Sequence, residues 1–168
     1  AADALAMAEK KRLPGKKILT AIVAGYECGA RIGIAALGNL LLRGWHPTAV
    51  FGAFTASVVA AKILGADADE TALALGIAGS QASGLAQWHQ EGSWTKRMHP
   101  GWASHSGIFA ALLARTGYDG PSKIFEGAQG LYRSFLRDDN FALGKLTEEL
   151  GKRWETRQLC LKMYPAGY

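Results

Sequence analysis

Imidazole and cationic side chains are concentrated in the middle of the sequence. All four histidines lie between residues 46 and 105, and Lys96-Arg97-Met98-His99 places two cations next to an imidazole. An imidazole can accept or donate a proton near neutral pH, and lysine and arginine hold carboxylates through charge-assisted hydrogen bonds. The combination indicates proton transfer on an anionic acid, with His46 as a proton acceptor and Lys96 and Arg97 as carboxylate-binding candidates.

Two His-Pro pairs, His46-Pro47 and His99-Pro100, predict the starts of two helices. A residue before proline is pushed out of the α region, and proline suits the first helical turn. The positive end of the helix dipole disfavours an imidazolium, so His46 would remain neutral and could accept a proton. Two alternatives stay open: His46 could be an ordinary helix cap, and residues 96–99 a solvated basic turn.

Other polar residues in this region are weaker candidates. Ser80 and Gln81 lie where a predicted helix fades and could bind substrate oxygens, although small polar residues are common at helix ends. His105 is predicted to be a buried, hydrogen-bonding histidine on the helix that follows His99. The sequence lacks the motifs of serine hydrolases, P-loop proteins and dinucleotide-binding proteins.

Helices are predicted to position these residues. The hydrophobic pattern predicts helices over residues 1–11, about 16–42, 48–64, 67–79, 101–116 and 141–150, and residues 87–95 predict a loop. In the second helix, Gly25, Gly29 and Gly33 share one face, which indicates that a neighbouring helix backbone packs closely there. Residues 153–164 form the only credible strand, so the predicted fold class is mainly α.

Composition and charge narrow the class of protein. The chain has 168 residues, 49% of them hydrophobic, and a net charge of +5 that is spread along the sequence; nucleic-acid binders usually carry a denser basic patch. Cys28 and Cys160 are far apart and lack metal-binding spacing, which fits a reducing, cytoplasmic setting. The apolar run over about 48–61 is too short and interrupted to span a bilayer, and no signal peptide is visible.

Three segments together resemble the MmgE/PrpD family. They are Gly44-Trp45-His46-Pro47-Thr48, Gly79-Ser80-Gln81-Ala82-Ser83-Gly84-Leu85, and the run from Gly92 to Ala103 that contains Thr95-Lys96-Arg97-Met98-His99. The similarity extends to Lys162-Met163-Tyr164-Pro165. The resemblance implies a cofactor-free lyase or isomerase of small di- or tricarboxylic acids, 2-methylcitrate dehydratase-like, and a homodimer with no nucleic-acid or membrane partner.

The resemblance also implies roles for individual residues. The family's active-site histidine corresponds to His46, its lysine in the Thr-Lys motif to Lys96, and its later lysine before an aromatic-Pro pair to Lys162. His99 matches a histidine of decarboxylase-like members and would be a second acid/base or binding group. Arg97, Gln81 and Ser80 would then bind substrate.

The resemblance further implies a division of the chain. Residues 1–150 would form part of a bundle-like helical domain, and residues 151–168 the start of a small α+β domain. Other residues that complete the family's site would precede Ala1. On this hypothesis the chain is the middle of a longer enzyme and would be inactive alone.

Dehydration, decarboxylation and epimerisation of such acids can share a carbanion next to a carboxylate, which requires a base and concentrated positive charge. Two other functions compete with this one. An inactive family member could serve as a dimerisation or carboxylate-binding module, and the +5 charge could serve polyanion binding.

Overall fold

Helices make up most of the regular structure in the computed structural model, which describes residues 2–164. The described residues contain seven α-helices: α1 (Ala2–Lys11), α2 (Gly15–Ala35), α3 (Pro47–Leu64), α4 (Ala68–Gly79), α5 (Trp88–Glu91), α6 (Thr95–Arg115) and α7 (Leu131–Leu136). Short 3-10 helices span Leu41–Arg43, Leu143–Leu146 and Glu155–Gln158. The predicted mainly α fold class is confirmed.

Helix α3 is the centre of the fold and packs against α2, α4 and α6. Its residues Val50, Phe54 and Ala60 are fully buried. Small residues on the neighbouring helices allow the backbones to approach: a Cβ added to Gly25 would collide with Val59, and one added to Gly107 would lie 2.6 Å from the Ala53 carbonyl. The predicted close packing at the glycine face of α2 is therefore confirmed, with α3 as the neighbour.

Two helices, Gly15–Ala35 and Pro47–Leu64, are long and apolar enough to cross a membrane by length and composition alone. The window in Pro47–Leu64 is 56% buried inside the fold. This burial is typical of the core helix of a folded domain.

The ends of α3 and the start of α4 follow the sequence signals. Pro47 is the first residue of α3 after His46, and Gly65 ends the helix with a left-handed φ of 75°. Asp67 and Glu70 form a reciprocal capping box at the start of α4. At each of these positions one residue type favours the local backbone conformation: proline in the first helical turn, glycine at the helix end and aspartate at the cap.

Several predicted element boundaries are wrong. Helix α2 ends at Ala35, well before residue 42, because Leu37 and Gly38 adopt positive φ values of 52° and 76°. The segment 141–150 forms only the 3-10 helix Leu143–Leu146, and its start is fixed by a hydrogen bond from the Ala142 N–H to the Ala35 carbonyl. The predicted loop over 87–95 contains the single-turn helix α5.

Helix α6 begins at Thr95, so the predicted helix start at His99-Pro100 is wrong. Pro100 lies inside the helix. A proline has no N–H and its ring crowds the carbonyl four residues earlier, so Pro100 leaves the Lys96 carbonyl without its helical partner,. His99 is consequently the fifth residue of a continuous helix, and α6 carries it and Lys96 on one rigid element.

The strand predicted over 153–164 is also wrong. Residues 155–158 form a 3-10 helix whose N–H groups are bound by a side chain of α2: Glu27 accepts hydrogen bonds from the N–H groups of Glu155 and Thr156 at 3.1 and 2.7 Å. Arg31 donates to the carbonyls of Glu148 and Arg153 at 2.7 and 2.9 Å. A strand needs a partner to pair its backbone groups, and α2 satisfies them here instead. Residues 165–168, and with them Pro165, lie outside the described residues.

Candidate active site

A short antiparallel contact between two loops positions His46 at the start of α3. The N–H of His46 donates to the Gly84 carbonyl at 2.9 Å, and the N–H of Ala86 donates to the Gly44 carbonyl at 2.8 Å. Gly84 has a φ of 122°, and a Cβ there would collide with Ala49 and lie 3.5 Å from the ring of His99. Only glycine allows this loop to approach α3 and α6 so closely.

His46 and His99 form a buried imidazole pair. Their Nδ1 atoms are 2.8 Å apart, and the two residues are 9% and 7% exposed. Within the described part of the chain, the ring of His46 makes no capping hydrogen bond to α3. His46 is therefore the N-cap residue of α3, as the alternative expected, but its ring turns towards His99 instead of capping the helix.

The contact between the two Nδ1 atoms determines which nitrogen of each ring carries a hydrogen. When both rings are neutral, one ring donates its Nδ1–H and the other accepts with its Nδ1 lone pair. The accepting ring then has its hydrogen on Nε2, whereas the donating ring has a free lone pair on Nε2. The pair as a whole therefore offers one proton donor and one proton acceptor at its two Nε2 atoms.

The surroundings of His46 favour its neutral form. Burial lowers the pKa of His46, and electrostatic repulsion from His99 and Lys96 lowers it further. The start of α3 acts in the same direction, because the positive end of the helix dipole disfavours an imidazolium. His46 is consequently neutral near pH 7 and able to accept a proton.

Trp88 lies between His46 and Lys96. Its ring meets the ring of His46 edge-on, with centroids 5.1 Å apart, and the Lys96 Nζ lies 4.4 Å from the centroid of the Trp88 ring. The structure therefore brings together His46, His99 and Lys96 of the predicted site, with Trp88 as an additional member that the sequence analysis did not single out. We call these four residues the imidazole–lysine cluster.

The two adjacent cations line a cavity next to this cluster. Lys96 and Arg97 border a cavity of about 280 Å³ whose wall also includes Trp88, Trp94 and His89. Arg97 is exposed and its guanidinium lies 5.4 Å from the centroid of the Trp94 ring. The volume is just below the range for drug-sized ligands, which suits a small acid.

The remaining predicted site residues lie elsewhere. Ser80 is exposed at the end of α4, and the side-chain amide of Gln81 donates to the Ile77 carbonyl of the same helix at 3.5 Å. Lys162 is exposed in the segment that follows the 3-10 helix Glu155–Gln158. The catalytic role of Lys162 and substrate binding by Ser80 and Gln81 stay predictions.

His105 differs from its prediction. It is exposed, and its ring stacks on Trp102 and Phe109 along the outer face of α6, with centroid distances of 5.1 and 6.3 Å. Helix α6 begins six residues before Gly101 and its buried face contains His99, Ala103 and Ser106, so His105 points to the other side. The sequence signal that could have identified Trp88 was the clustering of tryptophans between residues 88 and 102.

Comparison with known proteins identifies the family of this chain. The model of the MmgE/PrpD N-terminal domain matches residues 1–144. The chain belongs to the MmgE/PrpD family. Relatives in this family include a cis-aconitate decarboxylase-like protein of Aspergillus oryzae, 38% identical over 161 residues that cover 92% of this chain and 33% of the relative.

Two further relatives of the MmgE/PrpD chain carry the name cis-aconitate decarboxylase. That of Aspergillus terreus is 34% identical over 98% of this chain and 34% of the relative. That of Homo sapiens is 31% identical over 96% of this chain and 33% of the relative. The chain spans about a third of the length of these relatives.

Proposed function

We propose that this chain supplies proton-transfer and carboxylate-binding groups of a lyase that removes CO₂ from cis-aconitate or a closely similar tricarboxylic acid. The observation that carries the proposal is the buried His46–His99 pair with the Lys96 ammonium beside it. The names of the relatives from two Aspergillus species and Homo sapiens support the same reaction class.

The chemistry of the substrate defines what the site must do. In cis-aconitate, the bond between the CH₂ carbon and its carboxylate breaks and CO₂ leaves. The electron pair of the broken bond is delocalised through the adjoining carbon–carbon double bond. The resulting carbanion is delocalised towards the remaining carboxylates and takes up one proton on carbon. Positive side chains stabilise this carbanion more than they stabilise the bound substrate, because the negative charge on carbon develops only during the reaction.

Lys96 and Arg97 supply that positive charge. Both side chains border the 280 Å³ cavity, and each can hold a carboxylate by charge-assisted hydrogen bonds,. A substrate with several carboxylates can engage both cations while its reacting carbon lies at the wall formed by Trp88, whose ring contacts His46. We assign Lys96 to electrostatic stabilisation and Arg97 to orientation of a second carboxylate.

The imidazole pair can deliver the proton without forming a buried charge. His46 gives its Nε2 hydrogen to the carbanion while its Nδ1 accepts the Nδ1 hydrogen of His99. In the same concerted step His99 takes a proton from solvent at Nε2, so that neither ring becomes charged. Both rings start and end neutral, which avoids the cost of a buried imidazolium. Run in reverse, the same pair removes a proton next to a carboxylate, which is the step that dehydration and epimerisation share.

A chimeric enzyme tests this proposal. Residues 1–144 of this chain replace the matching segment of Aspergillus terreus cis-aconitate decarboxylase, and proton NMR in D₂O follows cis-aconitate. We expect loss of CO₂ with one deuterium entering the product carbon for each molecule converted. His46→Gln should lower the rate at least 100-fold, in line with the loss of an acid–base group, whereas Lys62→Ala on the exposed surface should leave it unchanged.

Other results would contradict decarboxylation and identify the reaction or role. Water loss from citrate, or deuterium exchange without release of CO₂, would indicate a dehydratase or an epimerase. A folded chimera that binds cis-aconitate without converting it would indicate an inactive, carboxylate-binding family member.

A further inference from the structure

Trp88 makes two ring contacts of different kinds with the proposed catalytic groups. The face of its ring lies under the Lys96 ammonium, with 4.4 Å from Nζ to the ring centroid. Its ring also meets the ring of His46 at an interplanar angle of 67°, with centroids 5.1 Å apart. The two contacts join residues from the start of α3 and the first turn of α6.

Lys96 depends on this contact for its position. Its side chain is exposed, and no carboxylate among residues 2–164 forms an ion pair with it. A lysine side chain without a partner samples many rotamers, and fixing it costs conformational entropy. The aromatic face of Trp88 attracts the ammonium through its quadrupole while leaving all three N–H donors available to a ligand.

Trp88 has no other evident structural role in this part of the fold. Helix α5 has four residues and contains no residue of the buried core. The indole Nε1 of Trp88 is buried and has no hydrogen-bond partner among the described residues. Burying an indole N–H without a partner is unfavourable, so the contacts of the ring with Lys96 and His46 must compensate.

We propose that Trp88 is a positioning residue that holds the Lys96 ammonium beside His46 before substrate binds. The inference rests on the proposed function for its catalytic consequence, and on the ring contacts alone for its structural part. Trp88 keeps the cation and the proton-transfer group at a fixed separation, so that the carboxylate and the reacting carbon of one small acid reach both together.

The charged groups that act on His46 belong to α6. They are His99 and Lys96. If Trp88 is replaced by an aliphatic residue, Lys96 becomes free to move away from His46, and water gains access to the imidazole ring. Both changes favour the imidazolium, so the pKa of His46 should rise towards its ordinary value.

Proton NMR of the ligand-free 168-residue chain tests the positioning role directly. In the wild type, the ε-methylene protons of Lys96 should be shifted upfield by the ring current of Trp88, and the imidazole signals of His46 should report its lowered pKa. Trp88→Leu should abolish the upfield shift and raise the pKa of His46. Trp88→Phe retains an aromatic face and should preserve both in part. Trp102→Leu, on the exposed outer face of α6, is the matched control and should change neither.

The opposite result would overturn the inference: a folded Trp88→Leu chain with unchanged Lys96 shifts and an unchanged pKa of His46. If Trp88→Leu does not fold, Lys96→Met takes its place, because it leaves the indole intact. Lys96→Met should then shift the ring protons of Trp88 and raise the pKa of His46. Failure of both signals to change would equally exclude a Lys96–Trp88 contact.

Ligand binding separates this inference from the proposed function. In the chimeric enzyme, with cis-aconitate as the probe, Trp88→Leu should weaken binding about 2- to 5-fold, the range expected for loss of one exposed cation–π contact, and Trp88→Phe should weaken it less. A wild-type chimera that fails to bind cis-aconitate, while the 168-residue chain shows the Lys96 ring-current shift, would count against the proposed function and still confirm the position of Trp88.

Discussion

The Nδ1 atoms of His46 and His99 lie 2.8 Å apart although 53 residues separate them in the chain. The pair forms because α3 and α6 cross at closely packed small residues, where a Cβ added to Gly107 would collide with α3. Only one hydrogen can lie between the two Nδ1 atoms. When both rings are neutral, the ring that carries this hydrogen has none on Nε2, and its partner carries its own hydrogen on Nε2. Proton transfer at either Nε2 is thereby coupled to its partner.

The lowered pKa of His46 makes stability depend on pH. The unfolded chain binds a proton to this histidine near pH 6.5 and the folded chain binds it only at lower pH. The contribution of His46 to the free energy of unfolding should therefore be fully present above pH 6.5. It should decrease as the pH falls below 6.5, by at most about 1.4 kcal/mol per pH unit. Urea unfolding between pH 5 and 8 measures this slope. His46→Gln should flatten it, and an unchanged slope in that variant would assign the effect to another group.

Gly84→Ala should disrupt the loop that holds His46. The φ of 122° is accessible almost only to glycine, and the added methyl group would collide with Ala49. We expect a loss of about 1–3 kcal/mol in the free energy of unfolding, the usual cost of a strained backbone position, and displaced NMR signals for His99.

Gly92→Ala is the control for that substitution. Gly92 also has a positive φ, 66°, but a Cβ there would meet nothing within 4 Å. Its cost should be smaller, and the His99 signals should not move. Equal losses in the two variants would show that backbone strain alone, rather than the contact with Ala49 and His99, accounts for Gly84.

Local sequence signals predicted the parts of the site that depend on neighbours in the chain. Pro47 fixed the start of α3 and therefore the place of His46, because a proline without an N–H fits the first turn. The same rule failed at Pro100. There the preceding residues 95–99 are already helical, and the helix tolerates a single missing hydrogen bond near its start.

The features that the sequence did not predict depend on distant contacts. Trp88 lies in a four-residue helix, too short for a hydrophobic period to be recognised,. The alternating residues after Arg153 resemble a strand, but Glu27 of α2 binds their backbone N–H groups instead. In the second case a side chain far away in the sequence decides the local structure.

The buried guanidinium of Arg31 should hold the C-terminal segment against α2. It is 2% exposed and donates to the carbonyls of Glu148 and Arg153. Arg31→Met would leave both carbonyls and the nearby Glu27 carboxylate without their cation, so we expect a loss of about 3–5 kcal/mol. Hydrogen exchange should show faster exchange at Glu155 and Thr156, whereas Arg43→Met, at an exposed ion pair with Asp138, should leave it unchanged.

The two cysteines should differ in reactivity. Burial raises the pKa of the Cys28 thiol to about 12, whereas Cys160 is exposed. Cys28 is half-buried, and because the thiolate is the reactive form, iodoacetamide at pH 8 should alkylate Cys160 much faster than Cys28. Mass spectrometry of the tryptic peptides measures both rates. Rapid labelling of Cys28 in the folded chain would contradict the packing of α2 against the residues around Cys28.

Lys96→Ala should abolish most of the activity of the chimeric decarboxylase at a small cost in stability. The side chain is exposed and forms no part of the core, so the free energy of unfolding should fall by no more than about 1 kcal/mol, the loss of its cation–π contact with Trp88,. The rate should fall at least 100-fold if the ammonium stabilises the carbanion, since removal of a single electrostatic group at a reacting centre costs about that much. Initial rates on cis-aconitate separate the possible roles. A lower kcat with an unchanged KM identifies stabilisation of the transition state, a higher KM alone identifies simple binding, and near-normal values of both would exclude Lys96 from the reaction.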